Sequence, residues 1–284
     1  MKIISSITEV QDLCEASRLL GKRVGFVPTM GYLHEGHEAL IRRAKKECDV
    51  IVVSVFVNPT QFGPSEDFSK YPRDLTRDSR AAEEAGCDVL FVPEAADMYP
   101  QGYSTSVQVE NLSYVLEGAF RPTHFKGVTT IVAKLFLIVG PHKAYFGQKD
   151  AQQCVVIRRM VEDLNFKIDL VIVPTVREAD GLAKSSRNVY LTERERTDAP
   201  VLYQSLKKAE DLIASGERSA QKIVSTLTQM ITSKPNVEID YISVVDAVSL
   251  ELIDTLKAGR QVLIPLAVRF GKTRLIDNTI VTVP

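Results

Sequence analysis

Short runs of apolar, largely β-branched residues recur along the first part of the chain. They occupy residues 22–29, 49–59, 88–94, 143–150 and 167–176. Continuous apolar runs of this length are typical of strands that are covered on both faces. Between them, Val128, Ile131, Val132 and Leu135 recur at spacings of three and four residues, which predicts a helix over 127–139. This alternation predicts an α/β fold with a doubly wound, mostly parallel sheet of the Rossmann type.

The pattern changes near residue 176. Residues 177–196 are polar, the segment after them has the spacing of an amphipathic helix, and 238–247 and 260–281 resemble strands. We therefore expect a Rossmann-like domain over 1–176 and a smaller α+β domain over 177–284. The apolar stripe of the expected helix is formed by Leu202, Leu206, Ala209 and Ile213.

Composition narrows the classes of partner. The 284 residues are 45% hydrophobic and 25% charged, with a net charge of −1, so no basic field is present to hold a nucleic acid. The most apolar helical stretch is too short to span a bilayer and carries Lys134, and the N-terminus lacks the apolar core of a signal peptide. We expect a cytoplasmic protein without nucleic-acid or membrane partners. Four cysteines without C-x-x-C spacing fit reduced, buried thiols.

Two of the four histidines, His34 and His37, lie three residues apart where an apolar run turns helical. In a doubly wound sheet, ligands bind beyond the carboxyl ends of strands, where loops lead into helices. Gly31 and Gly36 permit a close approach of the backbone, and a helix N-terminus offers N–H groups to phosphate. Two imidazoles at this position could donate hydrogen bonds to phosphate oxygens.

Simpler interpretations of the pair remain open at this point. The two histidines could merely cap a helix. A zinc protease would need H-E-x-x-H, which places its histidines four residues apart on one helical face, and the spacing of "HEGH" is one residue short.

A second polar signal lies far downstream, in "GLAKSSRN" at 181–188. Alone, this is an ordinary polar loop. Hydroxyls and cations in such a loop can nevertheless bind a polyphosphate and stabilise the charge that develops on leaving pyrophosphate.

The combination of "HEGH" with this loop resembles the HIGH and KMSKS signatures of the nucleotidyl-transferase superfamily. Within that superfamily, the chain resembles the pantoate–beta-alanine ligases, or pantothenate synthetases, over most of its length. The segments that carry the resemblance are "GFVPTMGYLHEGHEALI", "VSVFVNPTQFGPSEDFSKYPR", "RPTHFKGVTTIVAKLF", "YFGQKDAQQ" and "READGLAKSSRNVYL". They occur in the order found in the family.

The resemblance implies that ATP joins (R)-pantoate to beta-alanine through a pantoyl adenylate, releasing AMP and pyrophosphate, with Mg²⁺ on the phosphates. A carboxylate accepts an amine only after one of its oxygens becomes a good leaving group, and adenylation provides that group. The resemblance also implies a homodimer through the N-terminal domain. Residues 1–176 would then bind ATP and pantoate, and 177–284 would act as a lid.

Site residues follow from the same resemblance. His37 would donate a proton or stabilise phosphate, with His34 and Lys149 as further catalytic residues, and Gln61 and Gln153 would bind pantoate, with Gln61 also touching beta-alanine. Arg121 is a candidate for a substrate carboxylate. The metal ligands stay unassigned. The implied ATP-binding residues are Met30, Gly31, Tyr32, Leu33, His34, Glu35, Gly36, His37, Gly147, Gln148, Lys149, Asp150, Val176, Lys184, Ser185, Ser186 and Arg187.

Two details complete these expectations. The family usually has an apolar residue where this chain has Lys184. The segment "FGPSEDFSKYPRD" at 62–74, with Gly63 and Pro64 and the charges of Glu66, Asp67 and Arg73, resembles a flap over the adenylate.

Other classes of protein remain alternatives to the ligase. A cytidylyl- or adenylyltransferase of the superfamily would use a phosphate or alcohol as the attacking group, and the NPTQF and GQKDAQQ motifs argue against it. A nucleotide-binding module without catalysis would keep the fold. A class I tRNA synthetase does not fit the size and charge of the chain, because no basic anticodon-binding domain is present, and an adenylating core alone stays possible.

Overall fold

A computed structural model of the protein describes residues 1–64, 66 and 68–284. The chain divides into two compact units. The first comprises Met1–Gly147 and Val156–Pro174, and the second comprises Gln148–Val155 and Thr175–Pro284. Among the described residues, no helix combines the length and apolar character that crossing a bilayer requires.

A six-stranded sheet forms the centre of the first unit. Its strands are β1 (Lys2–Ile4), β2 (Val24–Thr29), β3 (Val50–Val55), β4 (Val89–Phe91), β5 (Lys143–Gly147) and β6 (Asp169–Val173). They are ordered β1-β4-β3-β2-β5-β6, and each neighbouring pair is parallel. Parallel neighbours require crossover connections, which helices supply here. The predicted mostly parallel α/β sheet is therefore confirmed.

Helices cover both faces of this sheet. They are α1 (Ile7–Leu19), α2 (Glu35–Glu47), α3 (Leu75–Ala85), α4 (Ala95–Met98), α5 (Glu117–Phe120), α6 (His124–Val139) and α7 (Ala151–Asp163), of which the last begins in the second unit. Successive strand residues point to opposite faces. Phe26 of β2 accordingly meets Phe136 of α6, whereas the adjacent Val27 packs in a cluster with Ile41 of α2 and Ala82 of α3.

Element ends differ from the apolar runs in a systematic way. The run at 143–150 contains a strand that stops at Gly147, after which Gln148–Asp150 form a 3₁₀ turn. The helix expected over 127–139 starts earlier, at His124. Strand β1 was not predicted, because its three residues are too few to show a period.

The second unit packs helices on an antiparallel sheet. Its elements are α8 (Glu193–Asp198), α9 (Val201–Ala214), α10 (Ala220–Thr232), β7 (Val237–Ile242), β8 (Val245–Asp246), β9 (Gln261–Phe270) and β10 (Thr273–Thr282). The strand order is β10-β9-β7, with β8 also paired to β9. The predicted stripe of α9 is buried in the core of this unit, together with β9. The expected smaller α+β domain is confirmed as a fold class.

Candidate functional site

The strand order of the first unit reverses between β2 and β5. From β2 the chain proceeds through β3 and β4 toward one edge, whereas β5 and β6 continue toward the other. Ligands of open α/β sheets bind outside the carboxyl ends of the strands at such a switch point. The ladder between the two strands pairs Gly25 with Lys143 and Phe26 with Ala144, and it stops before Pro28, which has no N–H to donate.

The loop after β2 has an unusual backbone. Gly31 has a φ of +84°, and a Cβ at this position would lie 2.9 Å from Asp78 Oδ2 and from the Val55 side chain. Tyr32 follows with a φ of +50°. The Thr29 hydroxyl accepts a hydrogen bond from Gly31 N at 3.1 Å and donates to Ser54 O at 2.7 Å. Gly31 is therefore required by both its conformation and its close neighbours.

Asp78 of α3 holds this loop in place. One carboxylate oxygen accepts from Tyr32 N at 2.7 Å and the other from Leu33 N at 2.6 Å. The residue is only 1% exposed, and burial raises the pKa of its carboxyl. Arg77 stacks on the Tyr32 ring and donates to Leu33 O at 3.1 Å. Asp78 is not among the predicted site residues, because a carboxylate within a charged helix has no distinguishing sequence pattern.

His34 and His37 form the start of α2, as the sequence predicts. His34 is the N-cap residue, and its Nδ1 accepts from Gly36 N at 3.1 Å, while His37 Nδ1 accepts from His34 N at 3.3 Å. The two ring centroids are 4.1 Å apart. Because Nδ1 is the acceptor in both rings, the neutral tautomer carries its proton on Nε2. In this tautomer, Nε2–H is the donor group of each ring. Glu35, next to them, is exposed.

Gln61 lies in a 3₁₀ turn, Pro59–Gln61, and is 8% exposed. Its amide oxygen accepts from Asn58 Nδ2 at 3.1 Å, and its Nε2 lies 2.9 Å from Met30 Sδ, so two predicted site residues meet here. The turn packs directly on α6. A Cβ at Gly127 would lie 2.5 Å from Thr60 O, and the same atom would approach the Gln61 backbone to 2.6 Å.

Arg121 forms a bidentate ion pair with Glu66, with Nε to Oε1 at 2.8 Å and Nη2 to Oε2 at 2.5 Å. Its Nη1 lies 3.2 Å from His124 Nε2, and His124 Nδ1 lies 3.0 Å from Gln61 O. A neutral His124 that donates from Nδ1 and accepts at Nε2 satisfies both contacts. Burial, with the adjacent Arg121 charge, lowers the pKa of His124 to about 4.

The flap expected at 62–74 contains Ser65 and Asp67, which lie outside the described residues. The rest of the segment packs on itself. The Phe62 ring meets Phe68 and Tyr71 edge-on, and Arg73 covers the Phe68 ring at 5.3 Å. These contacts give the segment a small aromatic core of its own.

In the second unit, Lys149 and Asp150 lie in the 3₁₀ turn that precedes α7. Lys149 Nζ is 3.6 Å from Asp150 Oδ1, with the two side chains 21% and 46% exposed. Gln153 follows in the first turn of α7 and is half-buried. Gln148 and the backbone carbonyls of this turn bind Asn278 of β10, a residue that the sequence analysis did not select.

The other predicted ATP-binding residues of this unit are joined by a short hairpin. Lys184 N donates to Val176 O at 2.9 Å, which brings Val176 beside the K-S-S-R segment. Lys184 Nζ lies 2.7 Å from Glu178, so its charge is paired within the same hairpin. Ser185 caps the 3₁₀ turn Ser186–Tyr190 by accepting from Arg187 N at 3.3 Å.

Comparison with known proteins decides which family has this arrangement. The family model for pantoate-beta-alanine ligase matches residues 2–280. The chain belongs to this family. A pantothenate synthetase from Heliobacterium modesticaldum is 58% identical over 283 residues, covering 100% of both chains. One from Acetivibrio thermocellus is 54% identical over 283 residues with the same coverage.

Solved structures agree in fold. The pantothenate synthetase of Thermus thermophilus superposes with a TM-score of 0.91 at 48% identity, over 98% of this chain and 99% of its own. The pantoate-beta-alanine ligase of Francisella tularensis, complexed with beta-gamma ATP and beta-alanine, superposes with a TM-score of 0.80 at 33% identity. The match covers 99% of this chain and 97% of that protein's chain. The resemblance seen in the sequence motifs is confirmed, and the protein is a ligase rather than a nucleotidyltransferase or a module without catalysis.

Proposed function

We propose that the residues described above carry out the ATP-dependent condensation of (R)-pantoate with beta-alanine, through a pantoyl adenylate, to give pantothenate, AMP and pyrophosphate. The observation that carries the proposal is the position of His34 and His37 at the N-terminus of α2, next to the switch point of the sheet, where Nδ1 of each ring accepts a backbone N–H. The substrates pantoate and beta-alanine are those named in the description of the family.

In the first step, the pantoate carboxylate attacks the α-phosphorus of ATP and pyrophosphate leaves. Negative charge grows on the phosphate oxygens, so donors fixed in advance lower the barrier. We assign His37 to the oxygens of the reacting phosphate and His34 to an adjacent phosphate. The helix N-terminus adds N–H groups and a favourable dipole. In the second step, the neutral amine of beta-alanine attacks the acyl carbon and AMP leaves.

Lys149 is proposed to neutralise the phosphates, because its ammonium is a compact positive charge on a flexible stem. Its neighbour Asp150 is the carboxylate we propose for Mg²⁺. Among the described residues, no three histidine, cysteine or acidic side chains converge as a metal cluster. Mg²⁺ commonly takes one or two carboxylates and completes its shell with phosphates and water, so a single carboxylate is sufficient for the proposal. When bound, the ion would neutralise charge on the leaving pyrophosphate.

The segment 184–187, together with Val176, is proposed to bind ATP as well. Ser185 and Ser186 offer hydroxyls and Arg187 offers a forked cation, which suits phosphate. Lys184 is already paired with Glu178 at 2.7 Å, so it contributes less positive charge than the sequence alone indicates.

Gln61 and Gln153 are proposed to bind the hydroxyls and carboxylate of pantoate. Gln61 is held by Asn58 and Met30, so its amide has a fixed orientation. Arg121 is proposed to bind a substrate carboxylate, which would have to replace Glu66 on the guanidinium. Because Glu66 belongs to the segment 62–74, such an exchange would couple substrate binding to the flap that keeps water from the adenylate. If deletion of the flap left hydrolysis of trapped adenylate unchanged, the flap assignment would be wrong.

We further propose that the protein acts in the cytoplasm as a homodimer that pairs through its first unit. Light scattering of the purified protein at micromolar concentration tests the dimer directly. A monomer mass across the concentration range would contradict it.

The decisive test is pyrophosphate–ATP isotope exchange with Mg²⁺ and pantoate, without beta-alanine. Exchange that requires pantoate demonstrates reversible adenylation. His37→Asn retains an acceptor near the Nδ1 position and removes the Nε2 donor, so kcat should fall about 100-fold or more with a smaller change in the KM for ATP. His37→Gln, which places an amide near Nε2, should recover part of this loss.

His142 provides a matched control for the histidine variants. Its Nδ1 also accepts a backbone N–H, from Val24 at 3.0 Å, but at the opposite end of β2. His142→Asn should therefore leave exchange near the wild-type rate. A loss in His37→Asn that lies entirely in the KM for ATP would contradict the assigned role of His37.

A further inference from the structure

Two adjacent polar residues of β10 are both buried, although the alternation of side chains along a strand predicts that only one of two neighbours is buried. Successive side chains of a strand point to opposite faces, so burial normally alternates. Asp277 and Asn278 are nevertheless only 3% and 4% exposed. Buried polar groups are costly unless they are hydrogen-bonded, so the partners of these two residues explain their presence.

The hydrogen bonds of the Asn278 side chain all go to one segment, Gln148 and Lys149. Its Nδ2 donates to Gln148 O at 3.0 Å and to Lys149 O at 2.9 Å. Its Oδ1 accepts from Gln148 Nε2 at 3.1 Å. An amide has two donor hydrogens, and both are used on these two consecutive carbonyls.

Asp277 holds the other ATP-binding segment of the same unit. It receives a bidentate pair from Arg177, at 2.6 and 3.0 Å, and also accepts from Asn278 N at 2.8 Å. Arg177 donates in addition to Gly181 O at 3.1 Å, inside the hairpin that carries the K-S-S-R segment. Consecutive residues of β10 therefore fix both segments.

We propose that Asn278 is a positioning residue for adenylation, which holds the backbone of Gln148 and Lys149 so that the Lys149 ammonium stays aimed at the phosphates of ATP. The inference rests on the proposed role of Lys149. A 3₁₀ turn of three residues has few hydrogen bonds of its own, and lysine is flexible, so the turn needs an external anchor. An amide is suited to this position because it donates to carbonyls and adds no negative charge beside the phosphates, whereas a carboxylate could not donate at all.

The test compares Asn278→Ala and Asn278→Asp with Thr279→Val in pantoate-dependent pyrophosphate–ATP exchange. Thr279 is the next residue of β10, and its hydroxyl bonds Glu210 at 2.6 Å, away from Gln148 and Lys149. We expect both Asn278 variants to lower kcat about tenfold to 100-fold, because misplacement of a catalytic group by about 1 Å has effects of this size. Thr279→Val should stay within about twofold of wild type despite a similar loss in melting temperature. Circular dichroism and urea unfolding of each variant show whether it is folded, and Asn278→Ser, which keeps one hydroxyl donor and adds no charge, replaces a variant that does not fold and should lower kcat by a smaller factor than Asn278→Ala.

A cycle with Lys149→Ala separates positioning from general stability. If Asn278 acts through Lys149, adding Asn278→Ala to Lys149→Ala should slow exchange by less than about twofold. A full second loss in the double variant, or wild-type activity in Asn278→Asp, would overturn the inference. A slow Lys149→Ala with a normal Asn278→Ala would overturn it while leaving the proposed role of Lys149 intact. A normal Lys149→Ala would instead overturn that role, and the inference with it.

Discussion

The loop after β2 and the turn after β5 present the two groups of proposed catalytic residues, and they are held in opposite ways. In the loop, the Asp78 carboxylate accepts from two backbone N–H groups, at 2.7 and 2.6 Å. In the turn, the Asn278 amide donates to two backbone carbonyls, at 3.0 and 2.9 Å. Each of these anchoring side chains is distant in sequence from the residues that it binds, by 45 to 46 residues for Asp78 and by 129 to 130 residues for Asn278.

The difference follows from the backbone groups that are held. Asp78 is buried, and Arg77 beside it offsets part of its negative charge, so its carboxylate can accept from two N–H groups in a strong, charge-assisted interaction. The turn presents carbonyls instead, and the Asn278 amide can donate to both of them, which a carboxylate could not do. We infer that backbone N–H groups favour an acidic anchor and backbone carbonyls favour an amide anchor.

The largest effect is expected for Asp78→Ala. It leaves the N–H groups of Tyr32 and Leu33 without their acceptor, which should lower the free energy of unfolding by about 3 kcal/mol. Exchange activity should fall about 100-fold or more, because the loop leads directly into His34 and His37. Urea unfolding and pyrophosphate–ATP exchange measure the two quantities.

Asp74→Ala is the control for that experiment. Asp74 caps the same helix by accepting from Arg77 N at 3.0 Å, and its loss should cost about 1 kcal/mol of stability. Exchange should fall much less than in Asp78→Ala, because Asp74 is the last residue of the segment 62–74 and its side chain binds the start of α3 instead of the loop after β2. Equal activity losses in the two variants would show that α3 matters only for stability. Asp78 could then not be compared with Asn278 as the anchor of a catalytic segment.

Gly127→Ala tests a segment that is positioned by close packing instead of a polar anchor. The added Cβ would lie 2.5 Å from Thr60 O and 2.6 Å from the Gln61 backbone, so the turn must shift. We expect a loss of about 2 kcal/mol in stability and a KM for pantoate raised about tenfold, with the KM for ATP little changed. Ala133→Gly, which weakens the same helix away from the turn, should lower stability without raising the KM for pantoate.

How far the sequence predicts this molecule differs between its parts. The strands β2 to β6 of the first unit show as apolar runs, because both faces of a parallel sheet are covered and every position favours an apolar residue. The His34–His37 start of α2 is also visible, since spacing and cap position are local. Asp78 and Asn278 are not visible, because their role exists only after residues distant in the chain are brought together.

The apolar runs also do not predict where each strand ends. The run at 143–150 includes Gln148–Asp150, where the chain leaves the sheet and the carbonyls of Gln148 and Lys149 bind Asn278. Arg121 was expected to be available to substrate, but it is paired with Glu66. A sequence pattern identifies a cation and does not identify its partner.

His124 gives a pH-dependent test of the region around Gln61. Burial lowers the pKa of folded His124 to about 4, below the value of an unfolded histidine. Between these two pKa values the unfolded state binds more protons, so stability falls as pH decreases from about 6.5 toward 4. His124→Gln removes this titration, and the stability of wild type relative to the variant should drop by about 2 kcal/mol between pH 7.5 and 5. Urea unfolding at both pH values measures the difference, and a difference independent of pH would contradict a neutral, buried His124.

The smallest effect is expected for Arg77→Lys, which keeps a positive charge beside Asp78 and removes the contacts of the guanidinium. The guanidinium lies 4.2 Å from the Tyr32 ring centroid and donates to Leu33 O at 3.1 Å, and an ammonium cannot reproduce both contacts in the same geometry. We expect a loss of about 0.5 to 1 kcal/mol in stability and a KM for ATP raised about twofold to threefold. Arg80→Lys, on the exposed face of the same helix and paired with Glu84, is the control and should change neither quantity. If Arg77→Lys were as damaging as Asp78→Ala, the guanidinium contacts would hold the loop as strongly as the Asp78 carboxylate does, and the loop could no longer be compared with the turn as a segment held by one side chain.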